Sequence, residues 1–228
     1  MPINPNAAIE ITAYRWVPPF AQGLVRDLRA RWALEEAGLD YKVRLLDVQA
    51  KPADYVKEQP FEQVPCLSDG TVHIFESGAI VQYIGEKSEA ILPREPEARY
   101  RAIQWTYAAL NSVEPAVQNR VLLDAFYADQ EWAKLRKPSA DEFARLKLKR
   151  VSDWLGDKLY LEGDRFTIGD LMMITVLRLG DKAGLLDATP NLAAYVQRGQ
   201  HRPAFQRALS DQLAAFAANE PQPEGAAA

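Results

Sequence analysis

Apolar and polar residues alternate with period two from Ile9 to Tyr14, with Ile9, Ile11 and Ala13 on one face, which predicts a strand. Two prolines and a glycine then break the pattern over R-W-V-P-P-F-A-Q-G, a loop from about Arg15 to Gly23. Leu24, Leu28 and Trp32 recur every fourth residue before Gly38, predicting a helix from about Leu24 to Ala37 with a glycine stop. Tyr41, Val43 and Leu45 alternate again, so strand, helix and strand follow one another as a parallel pair with a helical crossover. Residues Asp47 to Gln63 are polar and proline-marked, with one helical turn near Ala53 to Lys57. Val64 to Leu67 and Thr71 to Phe75, joined through Asp69-Gly70, read as a hairpin. A helix follows from Ser77 to about Lys87, with Ile80, Val81 and Ile84 on its apolar face.

The prolines of Ile91-Leu-Pro-Arg-Glu-Pro96 mark a linker, after which the pattern is helical throughout. Residues 97–128 carry Ile103, Tyr107, Leu110, Val113 and Val117 at helical spacing, and Pro115 is placed to kink or divide that helix. Ser139-Ala-Asp-Glu142 has the pattern of a capping box, followed by Phe143, Val151, Leu155 and Leu159. Thr167-Ile-Gly-Asp170 is a second such box, with Phe166 placed to staple against Leu171 ahead of a nearly uncharged helix that should be the buried centre of this part. Thr189-Pro190 and Pro203 start two more helices. The order predicts an α/β domain over residues 1–90, strand for strand that of thioredoxin, then an all-α domain over 97–218 and a flexible tail over 219–228.

With 228 residues the chain has room for two cores, and a net charge of −4 with both signs interspersed argues against a nucleic-acid surface. No apolar run approaches membrane-spanning length, and the opening residues lack the pattern of a secretory signal, so a cytoplasmic protein is expected. One cysteine and two histidines, Cys66, His73 and His201, leave no basis for a metal cluster or an internal disulfide.

The candidate chemistry gathers around Gln63 to Ser77. Pro65 opens a strand it cannot donate to, so it should lie at an edge, a bend or a cis peptide. A cis Val64-Pro65 bond would leave the Val64 N–H and C=O free for an extended, peptide-like ligand. Ser77 reads as a cap at a helix N-terminus, which favours a carboxylate, with Glu76 beside it for an ammonium. Glutathione has a carboxylate, an ammonium and a peptide backbone. Through the proline after Val64, the Glu76-Ser77 pair and the box at Thr167, the chain resembles the glutathione transferase family between Ile9 and about Phe216, whose amino-terminal domain is similar to thioredoxin.

The resemblance implies glutathione as co-substrate with no metal, a hydrophobic electrophile, peroxide or disulfide as its partner, and a symmetric homodimer. It implies that Val64 and Pro65 face the cysteinyl backbone, Glu76 and Ser77 the γ-glutamyl end, and Lys51 and Gln63 the glycine end and backbone. The serine or cysteine positions of several classes fall on Leu24, Val25 and Arg26, where no such residue stands. The same absence disfavours a maleyl-type isomerase, whose Ser-Ser-Cys motif has no counterpart here. The remaining groups that could favour a thiolate are Tyr14, equally able to pack in the core, Arg26, equally able to share a solvated basic face with Arg29 and Arg31, and the backbone N–H groups that begin the first helix. Cys66 reads as a small buried apolar residue, with a mixed disulfide to glutathione as its rival role. Trp105, Tyr107 and Asn111 are candidate walls of a second-substrate site between the domains. A non-catalytic glutathione-binding or scaffold protein of the same fold is the alternative function.

Overall fold

The computed structural model describes residues 3–221. Strands β1 (Ile9–Tyr14), β2 (Tyr41–Leu46), β3 (Cys66–Asp69) and β4 (Val72–Phe75) form one sheet in the order β2-β1-β3-β4. β1 pairs parallel with β2 across helix α1 (Asp27–Ala37), as the strand-helix-strand pattern predicts, and β3 pairs antiparallel with β1 and β4. The hairpin turns at Gly70, whose φ of 61° suits a residue without a Cβ. β3 starts two residues later than the apolar run suggests, because Pro65 has no N–H to give a ladder. α1 likewise begins at Asp27 and not Leu24, since Leu24 to Arg26 are taken up in turns. Helix α2 (Ser77–Lys87) follows β4.

The remaining helices are α3 (Pro96–Tyr107), α4 (Glu114–Phe126), α5 (Glu131–Leu155), α6 (Ile168–Asp181), α7 (Pro190–Gln200) and α8 (Pro203–Ala218). A π-helical stretch, Ala108–Val113, separates α3 from α4 directly before Pro115, the division that proline foretells. At Thr167-Asp170 the capping box forms in both directions, and α6 behind it is buried along nearly its whole length.

Two expectations fail in the helical part. Ser139-Glu142 does not start a helix but lies inside α5, which runs through Pro138; the Ser139 hydroxyl bonds back to the Arg136 carbonyl at 3.0 Å and caps nothing. Phe143 and Leu159, taken for apolar-face residues, are 49% and 46% exposed. The buried stripe of α5 runs instead through Ala133, Ala140, Ala144, Leu148, Val151 and Leu155, alanines that admit a neighbouring helix closely.

The chain divides into two compact units, residues 1–80 with 203–228, and residues 81–202. The first unit therefore contains α8, which the sequence assigned to the helical domain. Its reason is visible on α1: Trp32 meets Phe205 edge to face at 4.9 Å, Arg207 pairs with Glu35 at 2.6 Å, and Gln212 bonds Asp27 at 2.7 Å. Arg29 and Arg31, read as possible members of a solvated face, are accordingly only 5% and 1% exposed. Most of the tail, 222–228, lies outside the described residues.

Candidate functional site

The Val64–Pro65 peptide is cis. Pairing of Cys66 with Phe75 sets the register of β3 and β4, and continuing it places Pro65 opposite Glu76 and Val64 opposite Ser77. Among the described residues no hydrogen bond engages the backbone N–H or C=O of Val64, although the residue itself is 5% exposed. Glu76 is exposed and holds φ at 69°, a left-handed conformation uncommon for a residue with a Cβ. Its carbonyl accepts the Ile80 N–H at 2.9 Å, so Glu76 stands in the cap position and Ser77 is the first helical residue of α2. The predicted cap is displaced by one residue; the helix N-terminus, with its positive dipole end, is where the pattern put it.

Ser77 is buried, and its Oγ accepts a hydrogen bond from Arg29 Nη1 at 3.1 Å. Arg29 lies one turn into α1, so a buried guanidinium ties the two helix N-termini together. Sequence reasoning passed over this residue because it gave α1 only one covered face. No local signal marks it: D-L-R-A-R-W-A-L-E is as charged as a solvated run, yet every residue in it is buried.

Next to this feature, continuation of the β1–β3 register places Tyr14 opposite Val64. The Tyr14 ring packs on the cluster of Leu46, Tyr55, Val64 and Cys66, and the Lys51 ammonium lies 5.5 Å above it. Burial, and after it the negative charge of Asp27, raise the Tyr14 phenol above its ordinary value, so at neutral pH it is a proton donor. Arg26 is partly exposed at the N-cap position of α1. The helix start itself offers fewer free donors than expected: the Leu28 and Arg29 amides bond the Val25 and Arg26 carbonyls at 3.0 and 3.1 Å. Asp27, fully buried in the same turn, is held by Arg31 at 2.8 Å and Gln212 at 2.7 Å.

Lys51 donates to the Val48 carbonyl, and exposed Gln63 accepts from the Tyr55 hydroxyl through its own carbonyl at 2.7 Å, leaving its side chain toward solvent. Cys66 is 5% exposed beside Tyr55 and the Glu58 carbonyl, and burial pushes its thiol up, which suits a packing residue. In the other unit the Trp105 indole donates to Glu162 at 2.6 Å and packs on Trp154, while Tyr107 and Asn111 are exposed at the end of α3 and in the π-helical stretch.

Comparison with known proteins fits this geometry. Residues 20–86 match the family model described as glutathione S-transferase, N-terminal domain, and residues 123–203 that of the glutathione S-transferase, C-terminal domain. Glutathione S-transferase 1 of Zea mays is 30% identical over 191 residues, covering 78% of this chain and 88% of that protein. Glutathione S-transferase GstA of Escherichia coli O157:H7 is 31% identical over 195 residues, covering 80% and 92%. A glutathione transferase family member from Pseudomonas fluorescens pf-5, solved with two glutathione bound, superposes with a TM-score of 0.77 at 23% identity, covering 88% of this chain and 92% of that one. Glutathione transferase F7 from Populus trichocarpa gives 0.75 at 21%, covering 90% and 99%. With that extent of matching sequence on either side of a shared fold, the chain belongs to the glutathione S-transferase family.

Proposed function

We propose that this protein transfers the thiolate of glutathione to an electrophilic small molecule. The observation that carries the reading is the unengaged backbone of Val64, set by strand register opposite Glu76 and Ser77 at the start of α2. The cysteinyl N–H and C=O of the tripeptide pair with Val64 in strand fashion, with Pro65 fixing that edge. The γ-glutamyl carboxylate meets the α2 N-terminus and the Ser77 hydroxyl, and its ammonium meets Glu76. Lys51 and Gln63 take the glycine end. A cysteine bonded to Val64 brings its sulfur toward Tyr14, whose protonated phenol donates to the thiolate, with Arg26 adding a cationic field. The sulfur forms a bond to the electrophilic carbon, the leaving group departs with its electron pair, and the thiol proton goes to solvent.

The same thiolate can reduce a peroxide or a disulfide, the finer alternative within this reading. The resemblance further leads us to propose a cytoplasmic homodimer, for which light scattering should give twice the mass of one chain.

Isothermal titration with glutathione, followed by turnover of 1-chloro-2,4-dinitrobenzene, tests the assignment. Binding below millimolar concentration with turnover above the spontaneous rate is expected. Binding without turnover of any electrophile, peroxide or disulfide would favour a non-catalytic glutathione-binding protein, and no binding at millimolar glutathione would sink both readings.

A further inference from the structure

Beyond the ends of β1 and β2, within the first unit, lies a cavity of about 410 Å³ that no role has yet claimed. Its walls come from the loop after β1 (Arg15, Trp16, Pro18), the turn after β2 (Asp47, Val48) and the chain just past α8 (Pro221). The strand order puts it at the same end of the sheet as Val64, displaced by the width of one or two strands, roughly 5–10 Å. A sulfur held at Tyr14 therefore lies at its margin.

Half of the lining residues are apolar, an indole, two prolines and a valine, and Gln49 and Asn219 add neutral polar groups. Such walls suit an aromatic ring, and the volume is that of a pocket for a small substituted one. The one cation in the lining is Arg15, which is exposed and whose guanidinium has no hydrogen-bond or ion-pair partner among the described residues. The one anion, Asp47, accepts from the Gln49 and Ala50 amides at 2.8 and 3.1 Å, and these bonds, with the charges of Arg15 and Lys51 after them, hold its carboxyl below the ordinary value. The loop that carries Arg15 is held in place. Arg15 N–H bonds the Leu46 carbonyl at 2.8 Å, Val17 is buried, and Gln22 Nε2 clamps the Val17 carbonyl at 3.1 Å. The family match begins at residue 20, so Arg15 to Pro19 lie outside it.

We infer that this cavity is the acceptor-substrate site and that Arg15 selects aromatic electrophiles bearing an anionic group. The inference rests on the glutathione transferase reading and names the substrate class of its second site. A guanidinium whose N–H groups are not engaged in a hydrogen bond, beside an indole, recognises a carboxylate through charge-assisted hydrogen bonds while the ring lies on Trp16 and Pro18. Because Arg15 is exposed, its contribution is the modest end of that range, about tenfold.

The test pairs 4-chloro-3,5-dinitrobenzoate with 4-chloro-3,5-dinitrobenzamide. In both, the glutathione sulfur bonds to the chlorine-bearing carbon and chloride leaves with the electron pair. The quantity read is the benzoate-to-benzamide ratio of kcat/KM, each value divided by its spontaneous rate. The ratio is expected above one in the native chain, about tenfold lower in Arg15→Gln, and largely restored in Arg15→Lys. A ratio unchanged in Arg15→Gln overturns the inference while leaving the transferase reading intact. Titration of the unreactive 3,5-dinitrobenzoate and 3,5-dinitrobenzamide, followed by tryptophan fluorescence, reads the same preference without chemistry. If native protein binds both ligands equally, the anion-selecting role is wrong whether or not the enzyme turns over.

Discussion

Ser77 and Arg29 form a buried pair in which a neutral hydroxyl accepts from a charged donor. Ser77→Ala should raise the KM for glutathione about tenfold, near 1.4 kcal/mol, with kcat at saturating glutathione changed far less. An equal fall in kcat would mean that the serine acts on the chemistry and not on binding. Tyr14 invites the opposite result. Its phenol is raised by burial and by Asp27, so it stays protonated through the range in which a thiol titrates, and in the proposed role a thiolate accepting its hydrogen bond would form at lower pH. Tyr14→Phe should move the acid limb of the kcat/KM profile up by about one pH unit, a tenfold loss at pH 6.5; a profile that keeps its midpoint assigns Tyr14 to packing alone. Cys66 carries the stability consequence. Its folded thiol titrates above the unfolded value of about 8.5, so its contribution is complete below that pH and is lost as pH rises toward the folded value. The advantage of the native chain over Cys66→Ala in urea unfolding should therefore shrink above about pH 8.5. At this scale the break at Pro65 and the start of α2 were legible because proline and a helix N-terminus each have local rules, although the cap fell on Glu76 and not on Ser77. Arg29 was not, since nothing local tells a buried guanidinium from a solvated one.

Among the elements, α6 shows how a local signal can be complete. Its capping box, apolar run and burial all follow from T-I-G-D-L-M-M-I, and the glycine inside the box has its own reason. A Cβ on Gly169 would stand 2.6 Å from the Trp105 Cβ and 2.9 Å from the Ala102 carbonyl oxygen, so α3 and α6 touch backbone to backbone there. Gly169→Ala should cost about 1–3 kcal/mol and lower the thermal midpoint by several degrees, because the obstructing atoms are not the far ends of flexible chains. A midpoint within a degree of the native value would show that the helices shift at little cost. α5 is the contrary case. The box at Ser139 has the right letters but is overridden by tertiary packing: Asp141 accepts from Arg120 of α4 at 2.7 Å and from Arg145 at 2.9 Å. The alanine stripe of α5 was unreadable for a related reason, as a search for large apolar residues finds the exposed Phe143 and passes over the buried Ala140 and Ala144.

For the molecule as a whole, the informative mismatch is where the first unit ends. The β-α-β and β-β-α patterns end near Lys87, and the family's N-terminal match covers 20–86, yet the sheet unit also includes the residues from Pro203 onward. Periodicity describes one helix at a time and cannot say which partner a helix returns to, so α8 was placed by adjacency in sequence. The chemistry of α1 places it otherwise. Trp32 and Leu34 are fully buried, Glu35 turns a side chain of 0% exposure to Arg207, and the buried Asp27 bonds Gln212. A fragment of residues 1–90 would leave those charged groups without their α8 partners and would uncover Trp32 where Phe205 now lies against it. Exposing Trp32 gives up its burial and its ring contact, about 2–3 and 1 kcal/mol, a sizeable share of the whole stability of a small domain. We therefore expect the 1–90 fragment to show no cooperative thermal transition and poor amide dispersion. The same fragment joined through a flexible linker to residues 203–221 should recover both. A cooperative 1–90 fragment would mean that α8 decorates the sheet unit without completing it.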